Sequence, residues 1–296
     1  MRPGKSDQSR SPPLKVLLNP RALPDAKPAT QKRGRSLSLA SGRMVAVAKR
    51  MAPFLILQLR PEADAADDEF AAMRAKGGLD TTEVHRIRLD CEDLPHDLDL
   101  SRYSGVIVGG GPGCVSDDPA TKDPVEARIE TVILSLMPEI TGRDLPFLGC
   151  CYGIGILGQH LAPGSVSKAQ YGEPAGVTTC TLTEAGHADP LLSGIPRKFK
   201  AFVGHKEALQ ELPQGVVHLA ASDPCPYQMV RSGRNVYATQ FHPELDADGL
   251  DTRINIYKHR GYFDPDEADA LIARGHAETV EAPARILRNF VDLYRR

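Results

Sequence analysis

The sequence lacks tryptophan altogether, and aromatic residues make up only 5% of its 296 residues. It contains no Cys-x-x-Cys pair and no apolar run near the ~18 residues that a membrane-spanning helix needs. No secretory leader is visible either, so a disulfide framework is not expected. We therefore predict a cytoplasmic protein whose thiols are reduced. The six cysteines are scattered at Cys91, Cys114, Cys150, Cys151, Cys180 and Cys225.

The net charge of −2 conceals an uneven distribution of charge. Residues 1–50 hold 12 Lys and Arg against two acids, whereas the remainder holds 24 basic and 36 acidic residues. The first segment is rich in Pro and Ser and has little apolar periodicity, which predicts a basic, disordered tail at 1–50 ahead of one domain at 51–296. Three interpretations of the tail stay open: a translation start at Met44 or Met51, an organelle transit peptide, or a nucleic-acid arm.

From residue 52 onward, short apolar runs alternate with longer amphipathic ones, as is typical of βαβ units. This pattern predicts an α/β fold with a mostly parallel central sheet and flanking helices. In such open sheets, ligands bind at the carboxyl edge of the strands. The predicted strands are 54–59, 84–89, 105–108 and 147–149, the predicted helices are 65–75, 125–136 and 154–161, residues 174–240 are richer in strand, and the chain ends in a helix.

The stretch "LPFLGCCYGIG" ends an apolar run in two adjacent cysteines. A nucleophile raised on a tight turn from strand to helix needs small residues two positions before and two positions after it. Cys151 has Gly149 and Gly153 at those positions, whereas Cys150 does not. A helix N-terminus also favours the thiolate form of a cysteine. We therefore predict that Cys151 is a nucleophile and that Cys150 is a small residue packed beneath it.

A cysteine hydrolase needs a base and a group that orients the base. Two of the nine histidines, His205 in "VGHKEAL" and His242 in "TQFHPELD", precede a glutamate by two positions and follow strand-like runs. The spacing alone does not choose between them. Pro243 favours His242, because a proline holds the preceding residue in an extended conformation.

The oxyanion of a tetrahedral intermediate needs two backbone N–H donors. The glycine-rich stretch "VIVGGGPGCVSDD" follows a predicted strand and predicts one donor at Gly111. The residue after the nucleophile, Tyr152, offers the second donor. A phosphate-binding loop would require motifs that do not follow these glycines.

Together these segments resemble the class I, triad-type glutamine amidotransferases. The resemblance runs over residues 54–294 and rests on segments that occur in the family's order: "GGGPG", "GCCYGIG", "AQYGEPAG", "FVGHKEALQELPQG" and "YATQFHPEL". It implies a flavodoxin-like domain in which Cys151 attacks the side-chain amide of glutamine. It also implies that His242, rather than His205, moves protons and that Glu244 orients His242.

The resemblance further implies where the γ-glutamyl group lies. It places this group beside Gly110, the segment Tyr171, Gly172 and Glu173, and His205. Two positions depart from the family pattern: Gly155 stands where a glutamine is usual, and Val108-Gly109 stand ahead of the glycines in place of the more usual Ser-Gly-Gly-Pro.

The resemblance is strongest to stand-alone GMP-synthase-like amidotransferases. It implies L-glutamine or a γ-glutamyl compound as substrate, a thioester intermediate, and ammonia released for a separate synthase or acceptor subunit. No cofactor, metal, nucleic acid or membrane is expected for the domain. A free-standing hydrolase of γ-glutamyl peptides or amines is one alternative, and an inactive binding or regulatory module is another.

Overall fold

The structure is a computed structural model and describes residues 51–296. The predicted tail at 1–50 lies outside the described residues, and residues 51–296 belong to one compact unit. Its strands and α-helices are, in chain order, β1 (Phe54–Gln58), α1 (Ala63–Gly77), β2 (Val84–Arg88), β3 (Gly105–Val108), α2 (Pro124–Gly142), β4 (Phe147–Cys150), α3 (Tyr152–Leu161), β5 (Val166–Ser167), β6 (Glu173–Leu182), α4 (Glu184–His187), β7 (Lys198–His205), β8 (Ala208–Leu209), β9 (Val217–Ala221), β10 (Met229–Ser232), β11 (Val236–Thr239), α5 (Ala247–Tyr257), α6 (Ala268–His276) and α7 (Ala282–Tyr294).

Nine of these strands form one sheet in the order β2-β1-β3-β4-β11-β10-β9-β6-β7. The first five strands are parallel, in the 2-1-3-4-5 order of flavodoxin-like folds. The remaining four continue the sheet by antiparallel pairing. The predicted fold class is confirmed, and the four predicted parallel strands agree with the observed ones to within one residue.

The parallel strands are buried on both faces because successive side chains point to opposite sides of the sheet. Ile56 and Ile107 pack on one face with residues of α1 and α7. Leu57 and Val108 pack on the other face with residues of α2 and α3. The central sheet therefore lies between two helical layers. None of the helices in residues 51–296 combines the length and apolar character that a bilayer span requires.

A third apolar cluster involves the segment 254–278, to which the sequence assigned no role. Leu250 and Ile254 of α5, together with Leu271 of α6, pack against Ala175 of β6 and Phe202 of β7. This cluster anchors α5 and α6 against the antiparallel end of the sheet. The loop between the two helices is thereby brought over the carboxyl edge of the parallel strands, where the candidate site lies.

Candidate active site

Cys151 occupies a sharp turn between β4 and α3. Its backbone has φ 51° and ψ −95°, a conformation that L-residues other than glycine rarely adopt. Such backbone strain costs on the order of 1–3 kcal/mol and is concentrated at functional sites. The Cys151 N–H donates to the carbonyl of Thr239 at 2.8 Å, which ties the turn to the end of β11. The side chain is 7% exposed and faces two small cavities.

Only one of the two glycines flanking this cysteine is required by close packing. A Cβ at Gly149 would lie 3.0 Å from the backbone of Gly153 and 2.9 Å from the ring of Phe147. A Cβ at Gly153 would meet nothing closer than 3.8 Å. A Cβ at Gly153 would thus make ordinary contact with Val108, so a small residue fits there, and only Gly149 excludes any side chain.

Cys150 is fully buried below the turn, in the apolar cluster that contains Leu148. Burial raises the pKa of its thiol well above the ordinary value, and the neighbouring carboxylates of Glu244 and Glu69 act in the same direction. A thiol in this state is a poor nucleophile. The two adjacent cysteines thus have opposite environments, one packed in the core and one facing the cavities.

His242 lies between Glu244 and Cys151. Its Nδ1 is 2.9 Å from Oε1 of Glu244, and its ring lines the same cavity as the Cys151 side chain. His242 is 5% exposed, and burial by itself lowers its pKa. The Glu244 carboxylate and the Cys151 side chain outweigh burial and raise the pKa of His242 to about 9. The three side chains are thus arranged as a nucleophile, a base and a carboxylate that orients the base.

The carboxylate of Glu244 belongs to a buried charge cluster that the sequence analysis did not find. Arg253 of α5 has Nη2 3.4 Å from Oε1 of Glu244, and its Nη1 is 3.1 Å from Asp68. Arg60 donates from Nε to Glu69 at 2.8 Å. Burial raises the pKa of Glu244, but His242, Arg253 and Arg60 together lower it below the ordinary value.

The sequence predicts the position of only one member of this charge cluster. Arg60 follows β1 directly, so it lies at the same carboxyl edge as the cysteine and the histidine. Glu69 is fully buried on α1, and Arg253 is 6% exposed on α5. Charged residues on amphipathic helices normally face solvent. The spacing in the sequence therefore did not distinguish these two residues from surface charges.

Gly111 and Tyr152, the two residues predicted for the oxyanion hole, line a cavity together with Cys151, and their role stays a prediction. Gly111 lines both cavities beside Cys151, and a Cβ there would lie 2.9 Å from the carbonyl oxygen of Leu59. Tyr152 begins α3, and the first N–H groups of a helix have no partner within the helix. The neighbouring Gly110 N–H already donates to Glu69 at 3.1 Å.

The residues predicted around the γ-glutamyl group lie in different places. Gly110 lies against the His242 ring, because a Cβ at position 110 would be 2.8 Å from Cε1 of His242. His205 lines the cavity on the far side of the cysteine from His242. Tyr171, Gly172 and Glu173 line neither cavity. The substrate-binding role of all five residues stays a prediction.

Glu173 and His205 belong to a buried polar network next to that cavity. Nε2 of His205 is 3.0 Å from Oε2 of Glu173, which also accepts from Gln228. Cys225 brings its sulfur close enough that one ligand atom from each of Glu173, His205 and Cys225 lies within 4.8 Å of the others. This is the set among the described buried residues that could hold a metal. The Glu173 carboxylate is already bound by His205 and Gln228, so the network has a structural role.

Glu207 holds the glycine-rich loop in place. Its carboxylate accepts from the N–H groups of Val115 and Ser116 at 2.9 and 3.0 Å, and from the Ser116 hydroxyl at 2.8 Å. A Cβ at Gly155 would lie 2.9 Å from Oε1 of Glu207. The space that a longer side chain at position 155 would need is therefore filled by this carboxylate. Burial raises the pKa of Glu207, and its hydrogen bonds with Ser116 and Val115 oppose the increase.

Two cavities meet at Cys151. The first is lined by Cys151, His242 and mostly apolar residues, and the second is lined by Cys151, Gly155 and polar side chains that include Lys206, Glu207 and Gln240. Tyr262, from the loop between α5 and α6, lines both cavities. Its hydroxyl donates to the carbonyl of Pro112 at 3.4 Å. The segment 254–278 thus contributes a wall to the site.

Comparisons with known proteins agree with this geometry. A family model described as "Glutamine amidotransferase class-I" matches residues 72–255. The GMP synthase [glutamine-hydrolyzing] of Lactobacillus delbrueckii subsp. bulgaricus is 32% identical over 173 residues, 56% of this chain and 30% of that protein. The GMP synthase [glutamine-hydrolyzing] of Thermosipho melanesiensis is 30% identical over 159 residues, 51% of this chain and 26% of that protein. The chain thus matches less than a third of the length of these relatives.

Solved structures share the fold. A glutamine amidotransferase from Thermotoga maritima has a TM-score of 0.64 at 18% identity and covers 82% of this chain and 98% of that chain. A glutamine amido transferase from Methylobacillus flagellatus has a TM-score of 0.62 at 19% identity and covers 83% of this chain and 96% of that chain. With a family model that matches well over half of its residues, the chain belongs to the class I glutamine amidotransferase family.

Proposed function

We propose that this chain hydrolyses the side-chain amide of L-glutamine through Cys151, His242 and Glu244. The observation that carries the proposal is the position of the His242 ring, which contacts the Cys151 side chain on one side and Glu244 at 2.9 Å on the other. The strained turn at Cys151 and the buried state of Cys150 support the choice of nucleophile.

The chemistry follows from these contacts. His242 takes the proton of the Cys151 thiol, the sulfur attacks the amide carbon, and the N–H groups of Gly111 and Tyr152 stabilise the oxyanion. The His242 imidazolium gives its proton to the leaving nitrogen, the C–N bond breaks, and a glutamyl thioester forms. Water then attacks the thioester with His242 as base, which releases glutamate and restores the thiol. Glu244 keeps Nδ1 of His242 as a donor and stabilises the imidazolium.

The second cavity, which has polar walls, would suit the charged α-amino and α-carboxylate groups of glutamine. Lys206 supplies a cation, and Glu207 supplies an anion within the same walls. Oε1 of Gln240 is buried and has no hydrogen-bond partner among the described residues. A substrate ammonium group beside Gln240 would satisfy this oxygen, whose isolation otherwise costs about 1–3 kcal/mol.

The released ammonia would serve a separate acceptor enzyme in this proposal. The support is the similarity to proteins named GMP synthase [glutamine-hydrolyzing]. Hydrolysis of γ-glutamyl amines is the second candidate. It is favoured by the apolar side chains that line the cavity beside His242.

The test compares the two adjacent cysteines. Cys151→Ala should abolish glutamate release from glutamine, whereas Cys150→Ala should lower the melting temperature and keep measurable activity. A glutamine-analogue alkylator should add its mass to Cys151 in the wild type. Labelling of Cys150 instead, or full activity in Cys151→Ala, would contradict the assignment of the nucleophile.

A further inference from the structure

The buried network of Glu173, His205 and Cys225 brings three kinds of metal ligand together. Glu173 begins β6 and His205 ends β7, where the two residues are register partners. Cys225 lies in the loop between β9 and β10. All three residues are buried, and one oxygen, one nitrogen and one sulfur atom lie within 4.8 Å of one another. Strand pairing thus holds two of the ligands together, and a separate segment supplies the third.

The hydrogen bonds of His205 leave an unprotonated nitrogen facing a carboxylate. Nδ1 of His205 is 3.0 Å from the backbone carbonyl oxygen of Glu207, which can only accept, so Nδ1 carries the ring proton. In the neutral ring Nε2 then presents a lone pair, and it is 3.0 Å from Oε2 of Glu173. Two lone pairs at this distance repel each other unless a cation lies between or beside them. That cation is either a second ring proton or a metal ion.

Two observations favour a metal ion over a proton. A proton shared by His205 and Glu173 leaves the Cys225 sulfur out, whereas a metal ion can bind all three atoms. Gln228 is fully buried, and its Nε2 donates to Glu173 and to the Ser222 hydroxyl, which fixes the orientation of its amide. Its Oε1 has no hydrogen-bond partner within residues 51–296. Such an orphaned oxygen is costly, and a cation in the network would offset the cost.

Two of the three ligands already have the supporting hydrogen bonds that metal sites show. A histidine that binds a metal usually donates its other ring N–H to a carbonyl or a carboxylate, and ligating carboxylates accept hydrogen bonds from neighbouring groups. His205 has the first kind of bond, to the carbonyl of Glu207, and Glu173 has the second kind, from Gln228. The two side chains are therefore oriented before any ion arrives.

The distances suit tetrahedral zinc. Nitrogen and oxygen ligands at ~2.1 Å from zinc lie ~3.4 Å apart in a tetrahedron. The observed distance from Nε2 of His205 to Oε2 of Glu173 is 3.0 Å. A thiolate at ~2.3 Å from zinc would lie ~3.6 Å from each of these atoms. The Cys225 sulfur, which is within 4.8 Å of both, would need to approach by roughly 1 Å.

The ligand types select zinc. Mg²⁺ and Ca²⁺ prefer oxygen ligands alone, whereas Zn²⁺ binds sulfur, nitrogen and oxygen. A thiolate and a carboxylate carry two negative charges, so Zn²⁺ with a neutral imidazole would leave the buried group without net charge. His205 also lines the second cavity, which gives an ion a path to the site.

We infer that Glu173, His205 and Cys225 bind a zinc ion that links β6, β7 and the loop between β9 and β10. The ion has a structural role and takes no part in the reaction at Cys151. When it binds, the Cys225 sulfur forms a bond to zinc and loses its proton to solvent. No group is oxidised or reduced.

The experiment measures metal binding by the full chain carrying Cys151→Ala, because the nucleophile could itself bind a metal. The protein is freed of metal with a chelator and titrated with Zn²⁺ and, separately, with Co²⁺. Zn²⁺ should raise the melting temperature at about one ion per chain. Co²⁺ should produce the charge-transfer absorption band that only a cobalt–thiolate bond gives. Absence of Zn²⁺ binding would overturn the inference and leave an imidazolium–carboxylate pair as the account of the network.

A matched pair of cysteine variants in the same background locates the ion. Cys225→Ala should lose the cobalt band and bind Zn²⁺ at least 100-fold more weakly. Cys180→Ala is the control, because Cys180 is equally buried but does not belong to the ligand set, and it should keep both properties. Equal binding by the two variants would overturn the inference. Glu173→Gln keeps the size of the side chain and should weaken binding at least ten-fold, which keeps the inference testable if Cys225→Ala fails to fold.

The cobalt band also separates this site from a second candidate set. Asp248, Asp251 and His276 are close together on α5 and α6, but they are more exposed and include no sulfur. Binding of Zn²⁺ without a cobalt–thiolate band would place the ion there and contradict the inference. Each of these results leaves the proposed function standing, because the readout is metal binding and not glutamine hydrolysis.

Discussion

Replacing His242 by glutamine should flatten the pH dependence of folding stability in the neutral to alkaline range. His242 is 5% exposed and its Nδ1 is 2.9 Å from Glu244. Burial lowers its pKa, but Glu244 and then Cys151 raise the pKa to about 9. The difference from the unfolded pKa of ~6.5 corresponds to about 3 kcal/mol of unfolding free energy.

The direction of the effect follows from the raised pKa. A group whose pKa is higher in the folded protein stabilises the fold. This contribution is complete at any pH low enough for the group to be protonated in both the folded and the unfolded chain. The contribution of His242 is therefore complete below pH ~6.5 and is lost as the pH rises through about 9. Glutamine cannot titrate, so the His242→Gln variant lacks this loss.

The measurement is urea unfolding of both proteins at several pH values between about 6 and 10. The wild type should lose about 3 kcal/mol more than His242→Gln over this range, or roughly 10 °C in melting temperature for a domain of this size. Cys151→Ala retains Glu244 but lacks the sulfur that also raises the pKa of His242, and it should show a smaller loss in the same direction. Parallel curves for the wild type and His242→Gln would refute the reasoning.

Three further variants probe the packing around the site. Arg253→Met should lower the unfolding free energy by about 3 kcal/mol, because it leaves a buried carboxylate without its cation, and Arg253→Lys should lose less in the same urea titration. Gly155→Gln should lower the melting temperature by displacing Glu207, and the double variant with Glu207→Ala should regain part of the loss; a larger loss in the double variant would contradict this account. Gly149→Ala should reduce stability by about 1–3 kcal/mol through its contact at 3.0 Å, whereas Gly153→Ala should be nearly neutral in thermal unfolding.

Local sequence patterns determined the parallel half of the fold and the position of the cysteine turn. The apolar runs at 54–59 and 147–149 became β1 and β4, because a strand buried on both faces must be apolar throughout. The turn at Cys151 was predictable from Gly149, since an elbow brings backbone atoms too close for a side chain. Parallel strands end at one edge, so the sequence also predicted that separate segments would meet there.

Local spacing did not separate the two His-x-Glu motifs, whereas the tertiary structure gives each histidine a different partner. His242 pairs with Glu244 two residues away. His205 instead pairs with Glu173, its register partner on the adjacent strand, while Glu207 turns toward the glycine-rich loop. Both motifs have the same local spacing, so the difference arises from which strand each histidine lies beside.

The buried charges and the cavity walls were likewise decided by tertiary packing. Arg253 lies far from Arg60 and Glu69 in sequence, and both Glu69 and Arg253 have the local pattern of a surface charge on a helix. Tyr262 reaches the site because α5 and α6 pack on the antiparallel strands. Short-range periodicity reports which face of an element is apolar, but it carries no information about which distant side chain covers that face. The sequence by itself therefore determined the sheet and the cysteine turn, and only the long-range packing decided what surrounds them.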